Sequence, residues 1–192
     1  MANKGKYYES QFEEATIELL REAHWQYTLG DDIHRKYTDP LIEEDLRNFL
    51  AVQYKDKNLT TSEMDGIVAN LRNTGGQNDY YALRNAFLLY RDGYDFAYSD
   101  SRDNPFRMEY IDFEHPDHNI FRCVNQFVMG QGRENRRPDI LLFINGIPVC
   151  IIELKNPTKQ NATIRDAHTQ ICTRYMRDIP ALLKYCALAV IS

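Results

Sequence analysis

The chain has 192 residues, 43% of them hydrophobic and 27% charged, with a formal net charge of −5. That length suits a single domain with its own core, and 13 Tyr and 9 Phe exclude a disordered chain. No run approaches the roughly 18–20 apolar residues of a membrane span, and no apolar stretch follows the charged start as a secretory signal requires. We therefore expect a cytoplasmic domain spanning 1–192, with a helical first half over about 1–95 and an α/β core over about 105–192. The four cysteines contain no CxxC pair, which excludes a zinc finger; they are expected to be reduced and buried as small hydrophobes.

The first pattern is a helix over Tyr7–Ala23, where Phe12, Ala15, Thr16, Leu19, Leu20 and Ala23 recur at the spacing of one buried stripe. Trp25 and Tyr27 are read as packing against its end. A second helix is expected from Leu41 to Val52, after Asp39-Pro40. Thr60-Thr61-Ser62-Glu63 has the form of a capping box ahead of a third helix through Asn70. Gly75-Gly76 punctuates the chain before a fourth helix, Asp79–Tyr90, which Gly93 ends. Residues 96–120 read as loop with short strands such as Met108–Phe113. Strands are then expected over Phe121–Met129, Ile140–Ile144 and Pro148–Leu154, followed by a helix from Thr163 to Tyr175 and a last strand, Cys186–Ser192. This order describes an α/β domain. The last strand carries no stop signal, so the natural protein is expected to continue.

Charge is unevenly distributed. Residues 1–120 hold 13 basic and 23 acidic side chains, a net −10, while residues 121–177 hold 9 basic and 4 acidic ones, a net +5. The basic segment, which includes Arg137 and Lys159, can meet phosphates while the acidic part faces water.

The chemistry concentrates in Arg137-Pro138-Asp139 and Ile152-Glu153-Leu154-Lys155, joined through Asn145-Gly146. Asn-Gly between two apolar runs is a strong hairpin signal, and folding there brings Asp139 beside Glu153. Glu153 and Lys155, two apart, project from one face of a strand. Two carboxylates offer hard oxygen ligands to Mg²⁺, and a lysine can orient water or stabilise charge developing on phosphorus. A plain two-residue turn, however, pairs residues whose numbers sum to 291 and puts Asp139 and Glu153 on opposite faces of the sheet. A shared metal therefore demands an odd offset. It could come from a three-residue loop with its bulge at the turn, or from a bulge near Pro138 or Pro148.

These residues resemble the nuclease motif at the N-terminus of type I restriction enzyme R (restriction) subunits, in the PD-(D/E)xK superfamily. The likeness runs from Arg137-Pro138-Asp139 through Asn145-Gly146-Ile147-Pro148 to Ile152-Glu153-Leu154-Lys155-Asn156-Pro157. It extends to Tyr8-Glu9-Ser10, Leu41-Ile42-Glu43-Glu44-Asp45-Leu46, Ile111-Asp112-Phe113 and Val124-Asn125-Gln126-Phe127. The resemblance implies a restriction-endonuclease-like core, with a mixed β-sheet flanked by helices and a helical N-terminal half. It implies Mg²⁺-dependent cleavage of double-stranded foreign DNA, with Mn²⁺ able to substitute. Asp139, Glu153 and Lys155 would be the catalytic residues, and Asp139, Glu153, the Leu154 backbone carbonyl and a first-helix glutamate would hold the metal. Glu9 lies ~50° from the centre of the apolar stripe and Glu13 ~90°, so Glu9 is the favoured glutamate. Arg137 and Lys159 would assist on DNA. The implied partners are double-stranded DNA and the modification and specificity subunits, with no membrane. ATP would act only through a translocase absent from this chain, which has no phosphate-binding loop. The alternative is a non-catalytic DNA-binding or assembly module with the same fold.

The family also carries Gln-x-x-x-Tyr after the lysine. Here Gln170 and Tyr175 are one residue further apart, ~140° around a regular helix instead of ~40°. The two can act together only if residues 165–175 contain a π-type turn or a break. The five histidines have no cysteine or acid at a telling spacing. His115 and His118, a loop pair able to bind a metal, are read as solvated.

Overall fold

The computed structural model describes residues 4–100, 102–130, 135–155 and 164–191, with side chains from Ser10 onward. Helix α1 (Lys4–Glu22) leads through the short strand β1 (Gln26–Leu29) to three helices, α2 (Glu43–Gln53), α3 (Thr61–Asn73) and α4 (Asp79–Asp92). A two-stranded ribbon follows, β2 (Tyr94–Phe96) against β3 (Phe106–Met108). Then come β4 (Phe121–Asn125), β5 (Ile140–Ile144) and β6 (Ile147–Glu153). The last segment holds α5 (Ile164–Thr169), a π-helical stretch (Gln170–Tyr175), α6 (Met176–Asp178), α7 (Pro180–Leu183) and β7 (Leu188–Ile191). Among the described residues, no helix is long and apolar enough to cross a membrane.

The main sheet has the order β1-β4-β5-β6-β7. Its centre, β4-β5-β6, is antiparallel, and the edge strands β1 and β7 run parallel to β4 and β6. Alternation along the strands divides the core. Val124, Leu141, Phe143 and Ile151 face Ile171, Tyr175, Ile179 and Leu182 of the C-terminal helices. Cys123, Ile140, Cys150 and Ile152 face Ile17 of α1. A third cluster, including Leu46, Leu50, Ile67, Leu71, Met108 and Tyr110, unites α2, α3, α4 and the ribbon. This α/β architecture, a mixed five-stranded sheet flanked by helices after a helical N-terminal part, is consistent with the restriction-endonuclease-like core that the motif implies.

Local signals explain most boundaries. Thr60 and Glu63 form the expected capping box: the Glu63 N–H donates to Thr60 Oγ1 at 3.2 Å, and the Thr60 N–H donates to Glu63 Oε2 at 2.9 Å. Asn78 caps α4, and Gly93 at φ +65 ends it. Helix α2 starts two residues later than expected: Ile42, at φ −91 and ψ 86, stays outside the helix as its N-cap residue, and its N–H donates to Gly146 O at 2.9 Å.

Several expectations need correction. The buried line of α1 is not the Phe12–Leu19 stripe: Phe12 is 47% and Leu19 66% exposed, whereas Ile17 is buried. The helix instead turns Glu13, Ile17 and Leu20 towards the sheet, a face that apolar counting cannot find because an acid belongs to it. Strand β1 carries no signal in the sequence, where Trp25 and Tyr27 are expected to pack against the helix end; Trp25 packs edge-on against Phe121, with ring centroids 5.1 Å apart. The strand expected at Met108–Phe113 lies at Phe106–Met108. Cys123, Cys150 and Cys186 are buried as expected, but Cys172 is exposed.

Candidate functional site at the open end of the hairpin

Asn145 (φ 50) and Gly146 (φ 76) form a two-residue turn with both residues left-handed, the conformation that Asn-Gly favours. Next to it Ile144 pairs with Ile147 and Phe143 with Pro148, but from Leu142 onward the partners shift to Cys150, Ile151 and Ile152. Val149 is the extra residue, and it follows the proline whose missing N–H weakens the ladder. The bulge therefore lies near Pro148, one of the anticipated positions, and the turn itself stays regular. Beyond it, paired residues sum to 292, which puts Asp139 opposite Glu153. Both then share a face with Leu141 and Ile151, the face covered by the C-terminal helices.

Glu153 is fully buried. Its Oε1 accepts the Tyr175 hydroxyl at 2.6 Å, and its Oε2 accepts Gln170 Nε2 at 2.8 Å and Lys155 Nζ at 3.3 Å. Gln170 Nε2 also donates to the Tyr175 hydroxyl oxygen at 2.7 Å. Gln170 and Tyr175 bound the π-helical stretch, so the additional residue between them is absorbed there and both reach the same carboxylate. Burial pushes the Glu153 carboxyl up to about 7; the nearby charge of Asp139 adds to this, against the opposing pull of Tyr175 and Lys155.

Asp139 is half-buried at the strand's start, after the buried Pro138, and its Oδ2 accepts the Leu154 N–H at 2.8 Å. One strand end thus grips the other through a side chain. The approach to Asp139 is held by Arg136, whose backbone pairs with Met129 and whose guanidinium binds Asp178 at 2.6 Å. Arg137 is exposed. Glu13 comes to the same end of the sheet on its other face, where its Oε1 accepts Asn125 Nδ2 at 2.7 Å and Gln126 Nε2 at 3.3 Å. The Glu9 side chain and Lys159 lie outside the described residues.

The structure therefore brings together Asp139, Glu153, Leu154, Lys155, Gln170 and Tyr175, and it leaves Glu13 on the opposite face and Arg137 in solvent. The donor set fits a hard divalent cation. Two facing carboxylates, one buried and held reluctant to ionise, have one lysine as the cation beside Glu153. One acid escaped the sequence reading: Asp112 lies within reach of both His115 and His118. In the sequence Asp112 falls within the strand expected at Met108–Phe113, although its three-residue spacing from His115 is a usable signal.

The sequence pattern of the family described as type I restriction enzyme R protein N terminus matches residues 6–192. The chain is 29% identical over 194 residues to the type I restriction enzyme HindI endonuclease subunit of Haemophilus influenzae, covering 96% of this chain and 18% of that protein. It is 30% identical over 188 residues to a Methanocaldococcus jannaschii protein provisionally named the type I restriction enzyme MjaIXP endonuclease subunit, covering 94% and 18%. The chain thus spans about a fifth of the length of these relatives. With a family pattern over nearly its whole length, a mixed sheet and a facing acid pair, the chain belongs to the type I restriction enzyme R protein N-terminal family.

Proposed function

We propose that the chain is the DNA endonuclease domain of a type I restriction–modification system and hydrolyses phosphodiester bonds of double-stranded foreign DNA with Mg²⁺. The observation that carries this reading is the bulge at Val149, which turns Asp139 and Glu153 to one face with Lys155 beside them. A regular hairpin would have separated them. Asp139, Glu153 and the Leu154 carbonyl would hold the cation, and Mn²⁺ could replace it. When bound, the cation supplies positive charge next to the scissile phosphate and lowers the pKa of water in its shell.

The chain's own residues do the rest. Gln170 and Tyr175 fix both oxygens of Glu153, so that carboxylate is oriented before any ligand arrives. Lys155, partly buried, carries the charge suited to orienting an attacking water and stabilising the developing charge on phosphorus. Exposed Arg137 would contact the DNA backbone, as would Lys159. Partners would be duplex DNA and the modification and specificity subunits, with ATP acting through the rest of a longer subunit.

The test is DNA cleavage by the assembled complex. Asp139→Ala and Glu153→Gln should each abolish it, and Lys155→Ala should lower it ~10²–10³-fold, while ATP-driven translocation continues. Wild-type cleavage by Lys155→Ala would overturn the site. Loss of assembly instead of cleavage would favour the docking-module reading.

A further inference from the structure

The loop between β3 and β4 carries a cluster that the hairpin chemistry does not use. A single 3₁₀ turn at Pro116–His118 stacks the rings of His115 and His118, with centroids 4.9 Å apart and planes 16° from parallel. Beneath them sits the buried Asp112 carboxylate. Its Oδ2 lies 3.1 Å from His118 Nδ1 and 3.6 Å from His115 Nδ1. One ligand atom from each of the three residues falls within 4.8 Å of the others.

We propose that Asp112, His115 and His118 form a site for a first-row divalent transition metal such as Zn²⁺, separate from the acid pair. Tetrahedral zinc with bonds of about 2.0–2.1 Å sets its ligand atoms roughly 3.3–3.4 Å apart, and the two carboxylate–imidazole separations straddle that value. The two imidazoles are borderline donors, and their presence beside one hard carboxylate favours such metals over Mg²⁺. The carboxylate is held in advance. Its Oδ1 accepts the N–H groups of Glu114 at 3.0 Å and His115 at 2.8 Å, and its Oδ2 accepts Gln53 Nε2 at 3.0 Å. Asn119 closes the loop, accepting the Asp112 N–H at 2.9 Å and donating to Asp112 O at 2.7 Å. Such outer contacts orient a ligand and strengthen a site.

Both histidines are more than half or about half exposed, at 61% and 50%, so the rings can rotate onto an ion and leave one coordination position open. Through Asn119 the loop is pinned to Asn145 at 2.8 Å, in the hairpin turn. The site therefore lies at the opposite end of β5 from Asp139, roughly 15–20 Å away by strand rise. At that distance from the acid pair, the ion would stiffen the loop that anchors the turn.

Calorimetric titration of the chain with ZnCl₂ in excess Mg²⁺ tests this. One Zn²⁺ per chain should bind, and His115→Ala and His118→Ala should each weaken binding by about tenfold or more. Asp112 is left intact because its Oδ1 caps the loop. Lys155→Ala should bind Zn²⁺ as the wild type does. Co²⁺ should give visible absorption that the same two histidine variants lose. No saturable Zn²⁺ binding by the wild type would overturn the proposal. So would retained affinity in His115→Ala/His118→Ala, or loss of binding only on changing the exposed His168–Cys172 pair, whose side chains lie 3.5 Å apart.

Discussion

The two ends of the β5–β6 hairpin bury polar side chains equally and to opposite effect. At the turn, Asn145 is fully buried and fully satisfied: its Oδ1 accepts the Ile120 N–H at 2.7 Å, and its Nδ2 donates to Tyr110 O at 2.9 Å and Asn119 Oδ1 at 2.8 Å. At the open end Glu153 is as deeply buried, yet burial and Asp139 disfavour its charged form. One end is polar for the sake of the fold. The other keeps an acid where an apolar residue would cost less, which is the pattern of a site held ready for a charged ligand.

The largest effect should come from the turn. Asn145→Ala strands the Ile120 N–H and the Tyr110 carbonyl and puts alanine at φ 50. A loss of about 3–5 kcal/mol is expected by denaturant unfolding, a drop of roughly 6–20 °C in Tm. An unchanged midpoint would mean the turn is not what holds this end. At the open end the sign of the trade reverses. Lys155→Ala should lower DNA cleavage by the assembled complex ~10²–10³-fold while moving Tm by no more than about 2 °C.

Glu153→Gln sharpens the contrast through pH. The folded carboxyl is pushed up to about 7 from its ordinary 4.5, so its contribution to stability is fully present below 4.5 and is lost as pH rises through 7. The glutamine variant should therefore match the wild type near pH 4.5 and exceed it at pH 8, by roughly 1–3 kcal/mol without divalent cations. Mg²⁺ should narrow that gap by stabilising the wild type alone. A constant difference across this range, read by thermal melts, would show that Glu153 is not strained. The smallest effect is expected for Tyr175→Phe, about 1–2 kcal/mol at pH 8 and less at pH 4.5, where Glu153 is neutral.

The same contrast explains what was legible in the sequence. β5, β6 and the Asn-Gly turn follow from two short apolar runs on either side of Asn145-Gly146, and the need for an odd offset follows from the chemistry assigned to Asp139 and Glu153. Which residue supplied the offset did not, because Pro148 and Pro138 both disturb a ladder. Sequence spacing also showed that Gln170 and Tyr175 needed a helical irregularity to meet. Long-range partners stayed hidden. Four-residue β1 owes its existence to β4, almost a hundred residues away, and has no periodic signal of its own. The inward face of α1 includes Glu13, which earns its place from Asn125 and Gln126, so hydrophobic counting chose the wrong side. Asp112 sat in an apolar run that resembled a strand, and only the 3₁₀ turn after it aligned both histidines above it.

The π-helical stretch has a consequence for how this region tolerates changes in length. Adding a residue to a regular helix rotates everything beyond it by ~100°, which here would swing Ile179 and Leu182 out of the core. Because Gln170–Tyr175 is wider than an α-turn, the surplus residue is accommodated within one turn, and Tyr175, Ile179 and Leu182 all remain buried. Cys172, Thr173 and Arg174, between the two residues that hold Glu153, are exposed. Removing Thr173 should then tighten the turn into ordinary α-helix while Gln170 and Tyr175 stay on one side, since four residues span ~40°. The helix thus has a length tolerance of one residue, located where the buried Glu153 is held.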